Sequence, residues 1–224
     1  MISIIMPVLN EGEIIEEKLK DLTRQKGDFE LIVVDGGSKD QTKEKAKRYA
    51  DVIVSKKGRA YQMNAGAKAA NGDILLFLHT DSALQDDALK KIENAMKNRE
   101  VVGGGFKFAL DDPFLFYRLV AFLANLRART FKIYPGDHGL FVRRSVFEKI
   151  GGFNNIELME DIDLSKRLKK EGKLVHLDTK IVSSARRLKQ KGIIKTFLHM
   201  QLNRFLFFIG ISPKVLNRFY KDIR

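Results

Sequence analysis

Gly72-Asp73-Ile74-Leu75-Leu76-Phe77-Leu78-His79-Thr80-Asp81-Ser82 decides how this chain is read. Ile74 to Leu78 is an unbroken apolar run, too short for a buried helix and preceded by a Gly-Asp turn. It predicts a strand over Asp73–Leu78 covered on both faces. A His-Thr-Asp cluster follows at once. A carboxylate placed directly after a buried strand is poorly explained by packing. Asp81 is well placed to hold Mg2+ or Mn2+ bridging a diphosphate, because hard cations prefer carboxylate and phosphate oxygens. His79 reads either as a group supporting such a site or as a packed histidine, and packing is the simpler account.

The same design repeats upstream. Ile2–Val8, Glu30–Val34 and Asp51–Ser55 predict further short apolar strands. Helices are expected between them. The first is capped by Asn10, with Glu11, Glu13, Glu16 and Glu17 in its opening turns and Ile15, Leu19 and Leu22 on one face. Lys39–Tyr49 and Gln62–Ala70 follow, and Leu84–Asn98 comes after the fourth strand. Strands alternating with helices argue for βαβ units and a Rossmann-like, mostly parallel sheet flanked by helices. Ligands bind such sheets beyond the carboxyl ends of the strands. Three of these four strand ends carry polar clusters: Asn10-Glu11, Asp35-Gly36-Gly37-Ser38 and His79-Thr80-Asp81.

The second half is less regular. Expected there are a strand Val101–Ala109, a Phe- and Leu-rich helix Pro113–Thr130, a strand Gly139–Val142 and a short helix Val146–Ile150. A helix Glu160–Glu171 ends at Gly172, two short strands follow at Leu174–Leu177 and Ile181–Ser183, and Gly192–Ile211 is a largely apolar helix. No linker, repeat or low-complexity stretch interrupts the 224 residues, so one domain with a C-terminal helical elaboration is expected: a nucleotide-binding half 1–100, a catalytic and acceptor half 101–185, and an amphipathic region 186–224.

Composition narrows the function. The chain has no cysteine, which excludes disulfides and thiolate metal sites. No basic, apolar leader precedes the first strand and no run approaches membrane-spanning length, so a cytoplasmic protein is expected. The net charge of +13 lies wholly in residues 165–224, which hold 16 Lys and Arg against Glu171, Asp178 and Asp222. That excess suits a solvated face, an anionic lipid surface or nucleic acid. Phe197, Leu198, Leu202, Phe205, Leu206, Phe208 and Ile209 in the same region favour lipid over nucleic acid, at the inner face of a membrane, if the helix is not simply packed on the core.

Five clusters carry possible chemistry. In Met6-Pro7-Val8-Leu9-Asn10-Glu11, the backbone and Glu11 could line a base or ribose pocket, or merely end a strand and cap a helix. Asp35 at a strand tip suits a pyrimidine N–H or ribose hydroxyls, and Gly36 and Gly37 allow close backbone approach. Arg59 stands just before a predicted helix N-terminus, a natural diphosphate site. Asp81 is the fourth. In the fifth, Glu160, Asp161 and Asp163 open a helix. They could complement its dipole, or Asp161 could point into a cleft as a general base.

Taken in order, the PxxNE element at Pro7–Glu11, VVDGGSKDQT, GRAYQMNAG, GDILLFLHTDS, GDHGLFVRR and MEDIDLSKRL resemble family 2 of the GT-A glycosyltransferases over nearly the whole chain. GRAYQMNAG, LFLHTDS and GDHGLFVRR are similar to the radical-SAM and selenoprotein-associated subgroup. The resemblance implies an inverting transfer of a sugar from a UDP- or GDP-linked donor to an acceptor hydroxyl of unknown identity, with a lipid-linked acceptor among the alternatives. Pro7, Val8, Asn10 and Glu11 would line the nucleoside pocket, and Asp35 and Gly36 would meet base or ribose. Arg59, Gln62, Asn64 and Thr80 would lie near the nucleotide and its phosphates. Asp81 fills the last position of the family's DxD motif and would hold the divalent cation, while His79 replaces the first acid. Asp161 matches the catalytic base. Gly136, Asp137, His138 and Glu160 would lie near donor sugar or acceptor. A sugar-nucleotide pyrophosphorylase is a rival, but such enzymes carry a Gly-rich basic loop where Pro7 and Asn10-Glu11 stand here. A basic nucleic-acid-binding module is a weaker one, leaving Asp35, Asp81 and Asp161 without a task.

Overall fold

A computed structural model describes residues 1–185, 189 and 192–221. Of the expected C-terminal region 186–224, residues 186–188, 190, 191 and 222–224 lie outside the described residues. The chain builds one eight-stranded mixed sheet flanked by helices. In chain order the strands are β1 (Ile2–Val8), β2 (Phe29–Asp35), β3 (Asp51–Val54), β4 (Ile74–Phe77), β5 (Ser82–Leu84), β6 (Val101–Leu110), β7 (Phe141–Arg143) and β8 (Lys173–Ser183). Their spatial order is β3-β2-β1-β4-β7-β6-β8-β5. The first four are parallel; β7 runs antiparallel between β4 and β6, and β5 antiparallel to β8 on the edge.

The helices are α1 (Ile15–Leu22), α2 (Thr42–Ala46), α3 (Arg59–Ala69), α4 (Ala88–Met96), α5 (Leu115–Phe131), α6 (Arg144–Lys149), α7 (Glu160–Glu171), α8 (Ile193–Phe208) and α9 (Pro213–Lys221), with one 3-10 turn at Gly136–His138. The continuous apolar strands are covered on both faces, as expected of a parallel sheet. Ile2, Ile4, Met6 and Val8 pack with α1 and α4 through Ile15, Leu19, Leu89 and Ile92. Ile5, Ile32 and Val34 pack on the other face with α3 through Ala60, Met63 and Ala67.

Several local expectations change. Asn10 does not cap α1, which begins at Ile15 with no side-chain cap. It adopts a left-handed backbone, φ 53, and ties two loops instead. Arg59 is the first residue of α3 rather than a loop residue. The helix expected over Lys39–Tyr49 shortens to Thr42–Ala46. The helix expected over Leu84–Asn98 gives up its start to β5, which pairs Ser82 with Ser183. The two short strands expected at Leu174–Leu177 and Ile181–Ser183 form one strand. A register shift between Phe106 and Lys107 leaves Asp178 and Thr179 bulged, and Thr179 donates to Asp87 at 2.6 Å. The glycines 103–105 let neighbours close on β6: a Cβ at Gly104 would lie 2.0 Å from the Val175 carbonyl oxygen.

Candidate active site

The polar clusters converge at the carboxyl ends of β1, β2 and β4. The loops after β1 and β2 are knotted together by short side chains. Ser38 Oγ accepts from the Asn10 N–H at 2.8 Å, and Asn10 Oδ1 accepts from the Lys39 N–H at 2.9 Å. Thr42 Oγ1 accepts from Glu11 N–H at 2.8 Å, and Asp40 Oδ2 from Gly12 N–H at 2.9 Å. Asp35 is buried and accepts from Gly37 N–H at 3.2 Å, from Ser38 N–H at 3.1 Å and from the Ser38 hydroxyl. These bonds fix an otherwise irregular rim. Pro7 and Val8 end β1 beside it, and the Gly36 N–H donates to the Val8 carbonyl at 2.9 Å.

Two residues expected near the nucleotide have other work. Gln62 is buried, and its Nε2 donates to the Val8 and Val34 carbonyls at 2.8 Å each, joining the tips of β1 and β2. A Cβ on Gly36 would touch its side chain at 3.0 Å. Asn64 pairs with the backbone of Phe153 in both directions, donating at 2.8 Å and accepting at 2.9 Å. Gln62 thus ties two strand tips together from a buried position, while the half-exposed Asn64 uses both ends of its amide to hold the Phe153 backbone.

The chemistry gathers around His79. Its ring lies against Gly136, where a Cβ would sit 2.4 Å from Nε2. Burial, and next the charge of Arg59, push its pKa down to about 4; Asp81, Asp161 and Asp137 pull in the opposite direction without prevailing. The ring is therefore neutral near pH 7 and packed against the Gly136 turn. Thr80 is buried beside it, and Asp81 is half-exposed at the loop that follows β4, its carbonyl accepting from Ser184 N–H at 3.1 Å.

Opposite stands the start of α7. Met159 takes a left-handed backbone, φ 66, to turn the chain into the helix. Glu160 is buried, with its carboxylate 3.8 Å from Arg59 Nη1, an ion pair that joins the start of α7 to the start of α3. Asp161 is partly exposed. Its Oδ2 accepts from Gly136 N–H at 2.5 Å and its Oδ1 from Ile162 N–H at 2.7 Å. The first bond ties the carboxylate to the 3-10 turn and hence to His79. His138, expected near sugar, turns inward instead: it is wholly buried, with Nδ1 3.0 Å from the Phe106 carbonyl. Arg127, which the sequence reading did not single out, joins this field, since Asp137 and Asp161 both act on its charge.

Among the described residues no three His, Cys, Asp or Glu side chains meet as a ready-made ion cage. The carboxylate of Asp81 is chemically of the kind that a hard divalent cation takes, and as a single acid it would leave most of such an ion's ligands to other molecules.

Comparison with known proteins identifies the family and the fold. The model of the family described as "Glycosyl transferase family 2" matches residues 3–151. Glycosyltransferase AglE of Haloferax volcanii is 28% identical over 170 residues, 69% of this chain but only 56% of that protein's length. The PGL/p-HBAD biosynthesis glycosyltransferase of Mycobacterium bovis is 31% identical over 186 residues, 75% of this chain and 69% of its own. The solved mannosyltransferase PcManGT from Pyrobaculum calidifontis, in complex with GDP-Man and Mn2+, superposes with a TM-score of 0.66 at 19% identity, covering 85% of this chain and 60% of that one. The fold is thus the GT-A fold.

Proposed function

We propose that this chain, which belongs to glycosyl transferase family 2, moves a sugar from a nucleotide diphosphate donor to an acceptor hydroxyl with inversion at the anomeric carbon. The observation that carries the reading is the gathering around His79 of two carboxylates, Asp81 after β4 and Asp161 at the start of α7, and the Arg59 guanidinium, whose charges all act on the ring, with Asp161 bonded to the Gly136 turn against which that ring lies. The nucleotide half is 1–100, where Pro7, Val8, Asn10, Glu11, Asp35 and Gly36 form the nucleoside rim, with Thr80 behind the diphosphate. The acceptor half is 101–185. The similarity to GRAYQMNAG- and LFLHTDS-bearing proteins of the radical-SAM-associated subgroup belongs to this proposal too.

Arg59, at the first position of α3, puts a guanidinium at a helix N-terminus, where the dipole favours an anion, and so binds the diphosphate. Asp81 would hold Mn2+ or Mg2+, whose contribution when bound is to neutralise charge on the leaving diphosphate. Asp161 takes the proton of the acceptor hydroxyl while its oxygen bonds to the anomeric carbon. The bond from that carbon to the diphosphate oxygen breaks in the same displacement, and the nucleoside diphosphate leaves with the electron pair. The Gly136 and Ile162 N–H groups, one on each oxygen, hold the Asp161 carboxylate in the orientation that receives the proton.

No helix of the described residues is long and apolar enough to cross a membrane. Contact with the inner face of a membrane through the C-terminal helices is part of the proposal, supported by their exposed apolar side chains and basic sequence.

The test is thermal shift with UDP-, GDP- and dTDP-sugars, with and without Mn2+, followed by turnover. One donor should stabilise the protein in a Mn2+-dependent way, and Asp161→Asn should keep that stabilisation while losing about 10²–10⁴-fold in turnover. Full turnover in Asp161→Asn would sink the mechanism.

A further inference from the structure

The buried positions of α7 are Glu160, Ile162, Leu164, Ser165 and Leu168. Three are aliphatic and Glu160 is paired with Arg59, which leaves Ser165 to be explained. A serine within a helix is a poorer helix former than alanine, and a buried hydroxyl needs partners. The partners of Ser165 lie outside its helix. Its Oγ accepts from the Tyr134 N–H at 3.0 Å and donates to the Tyr134 carbonyl at 3.3 Å. One hydroxyl thus holds both polar backbone groups of a residue 31 positions earlier.

Tyr134 stands two residues ahead of Gly136, whose N–H holds Asp161. The link between them has little freedom. Pro135 has φ −58, and its carbonyl accepts from the His138 N–H at 2.8 Å. A residue that precedes proline is itself restricted. The Tyr134 ring is wholly buried and lies on Gly105 of β6, where a Cβ would sit 2.5 Å from Cδ1. It also stacks on His176 of β8, with ring centroids 6.0 Å apart. Sheet, tyrosine and turn therefore form one block.

Ser165 follows Asp161 by one helical turn, on the same face of α7. The block is fastened to α7 at two points spaced i, i+4: Gly136 on Asp161 and Tyr134 on Ser165. The fastening at Asp161 is partly exposed, so water can compete for it. The fastening at Ser165 is buried, and no water stands in for a bond broken there. The inner pair decides where the outer one closes.

We propose that Ser165 is a positioning residue for Asp161: by clamping the Tyr134 backbone it keeps the Gly136 N–H on the carboxylate and so sets the direction in which that carboxylate meets the acceptor hydroxyl. The proposal rests on the reading of Asp161 as the base and deepens it by naming what holds the base in place. Wholly buried, Ser165 touches no substrate itself.

The experiment compares the full chain with Ser165→Ala, Asp161→Asn and the double variant. The first measurement needs no substrate: amide hydrogen exchange at Gly136, followed by NMR. Exchange there should quicken at least about tenfold in Ser165→Ala, with the amides of β1 and β2 unchanged as evidence of an intact fold. The second is release of nucleoside diphosphate with water as the acceptor, using the donor that thermal shift selects. In Ser165→Ala, kcat should fall about 10- to 10²-fold while the KM for donor stays within about twofold, because Arg59, Asp35 and Asp81 sit on other elements. In the Asp161→Asn background the same change should cost less than about twofold, since a base that is gone cannot be misplaced. Unchanged exchange at Gly136, or an equal loss of kcat with and without Asp161, would overturn the proposal. So would a rise in donor KM in place of the fall in kcat. Full turnover in Asp161→Asn removes the base reading and the proposal with it. Lost turnover in Asp161→Asn beside full turnover in Ser165→Ala removes the proposal alone.

Discussion

The backbone N–H of Gly136 donates a 2.5 Å hydrogen bond to Oδ2 of Asp161, while the same glycine lies flat against His79. One residue without a side chain thereby couples the end of β4 to the start of α7. Gly136→Ala places a Cβ 2.4 Å from His79 Nε2, so either the ring or the turn must move. A shift of about 1 Å at Asp161, the base of the proposed mechanism, is expected to cost about 10²-fold in kcat with the fold and donor binding retained. Combining it with His79→Ala should restore part of the loss. Gly136→Ala turning over at the original rate would show that the turn does not position Asp161.

Asp81 gives the metal prediction. A single half-exposed carboxylate, with no cage among the described residues, should bind Mn2+ weakly by itself. Mn2+ alone is expected to leave the melting temperature unchanged, whereas Mn2+ with the cognate nucleoside diphosphate should raise it, and EDTA should remove that gain. Asp81→Ala should abolish the Mn2+ dependence. A large shift with Mn2+ alone would mean that other protein ligands close around the ion.

How much of this was legible in the sequence depended on how local the cause was. α7 could be read to the residue, because acids open it and Gly172 closes it. The buried strands β1, β2 and β4 announce themselves by continuous apolar runs. β5 does not: three residues with no pattern of their own become a strand only because β8, about a hundred positions away, pairs with them. The site divides in the same way. Asp81 and Asp161 are visible as carboxylates where packing has no need of them. Gln62, Asn64 and His138 looked equally functional, yet each bonds a backbone carbonyl brought in from a distant segment. The polarity of α8 was also hidden, since an apolar helix reads alike whether its apolar face turns in or out.

Gln62 provides a direct test of that distinction. Gln62→Leu removes two donors from the Val8 and Val34 carbonyls at the strand tips. The Val8 carbonyl keeps the Gly36 N–H, and losing the two buried Gln62 hydrogen bonds should cost about 1–3 kcal/mol, read as a lower urea midpoint. The folded fraction should still respond to the cognate nucleotide. Unchanged stability combined with a lost nucleotide response would return Gln62 to the binding surface.

Stability should also fall on the acid side for a reason lodged under the site. His176 is pushed down to about 4 by burial and then by the charges of His138, Arg129 and Lys132, with Asp178 opposing. His138 is lowered chiefly by burial, and its ring lies 6.3 Å from that of His176. The unfolded chain protonates its histidines near pH 6.5, so between about pH 6.5 and 4 it binds more protons than the folded chain. Stability therefore rises with pH through that window and is lost as pH falls through it. His79 adds to the same trend. His176→Phe keeps a ring stacked on Tyr134 but cannot titrate, and its melting temperature should depend less steeply on pH between 4 and 6.5. A slope identical to that of the unaltered protein would show that His176 does not titrate with folding.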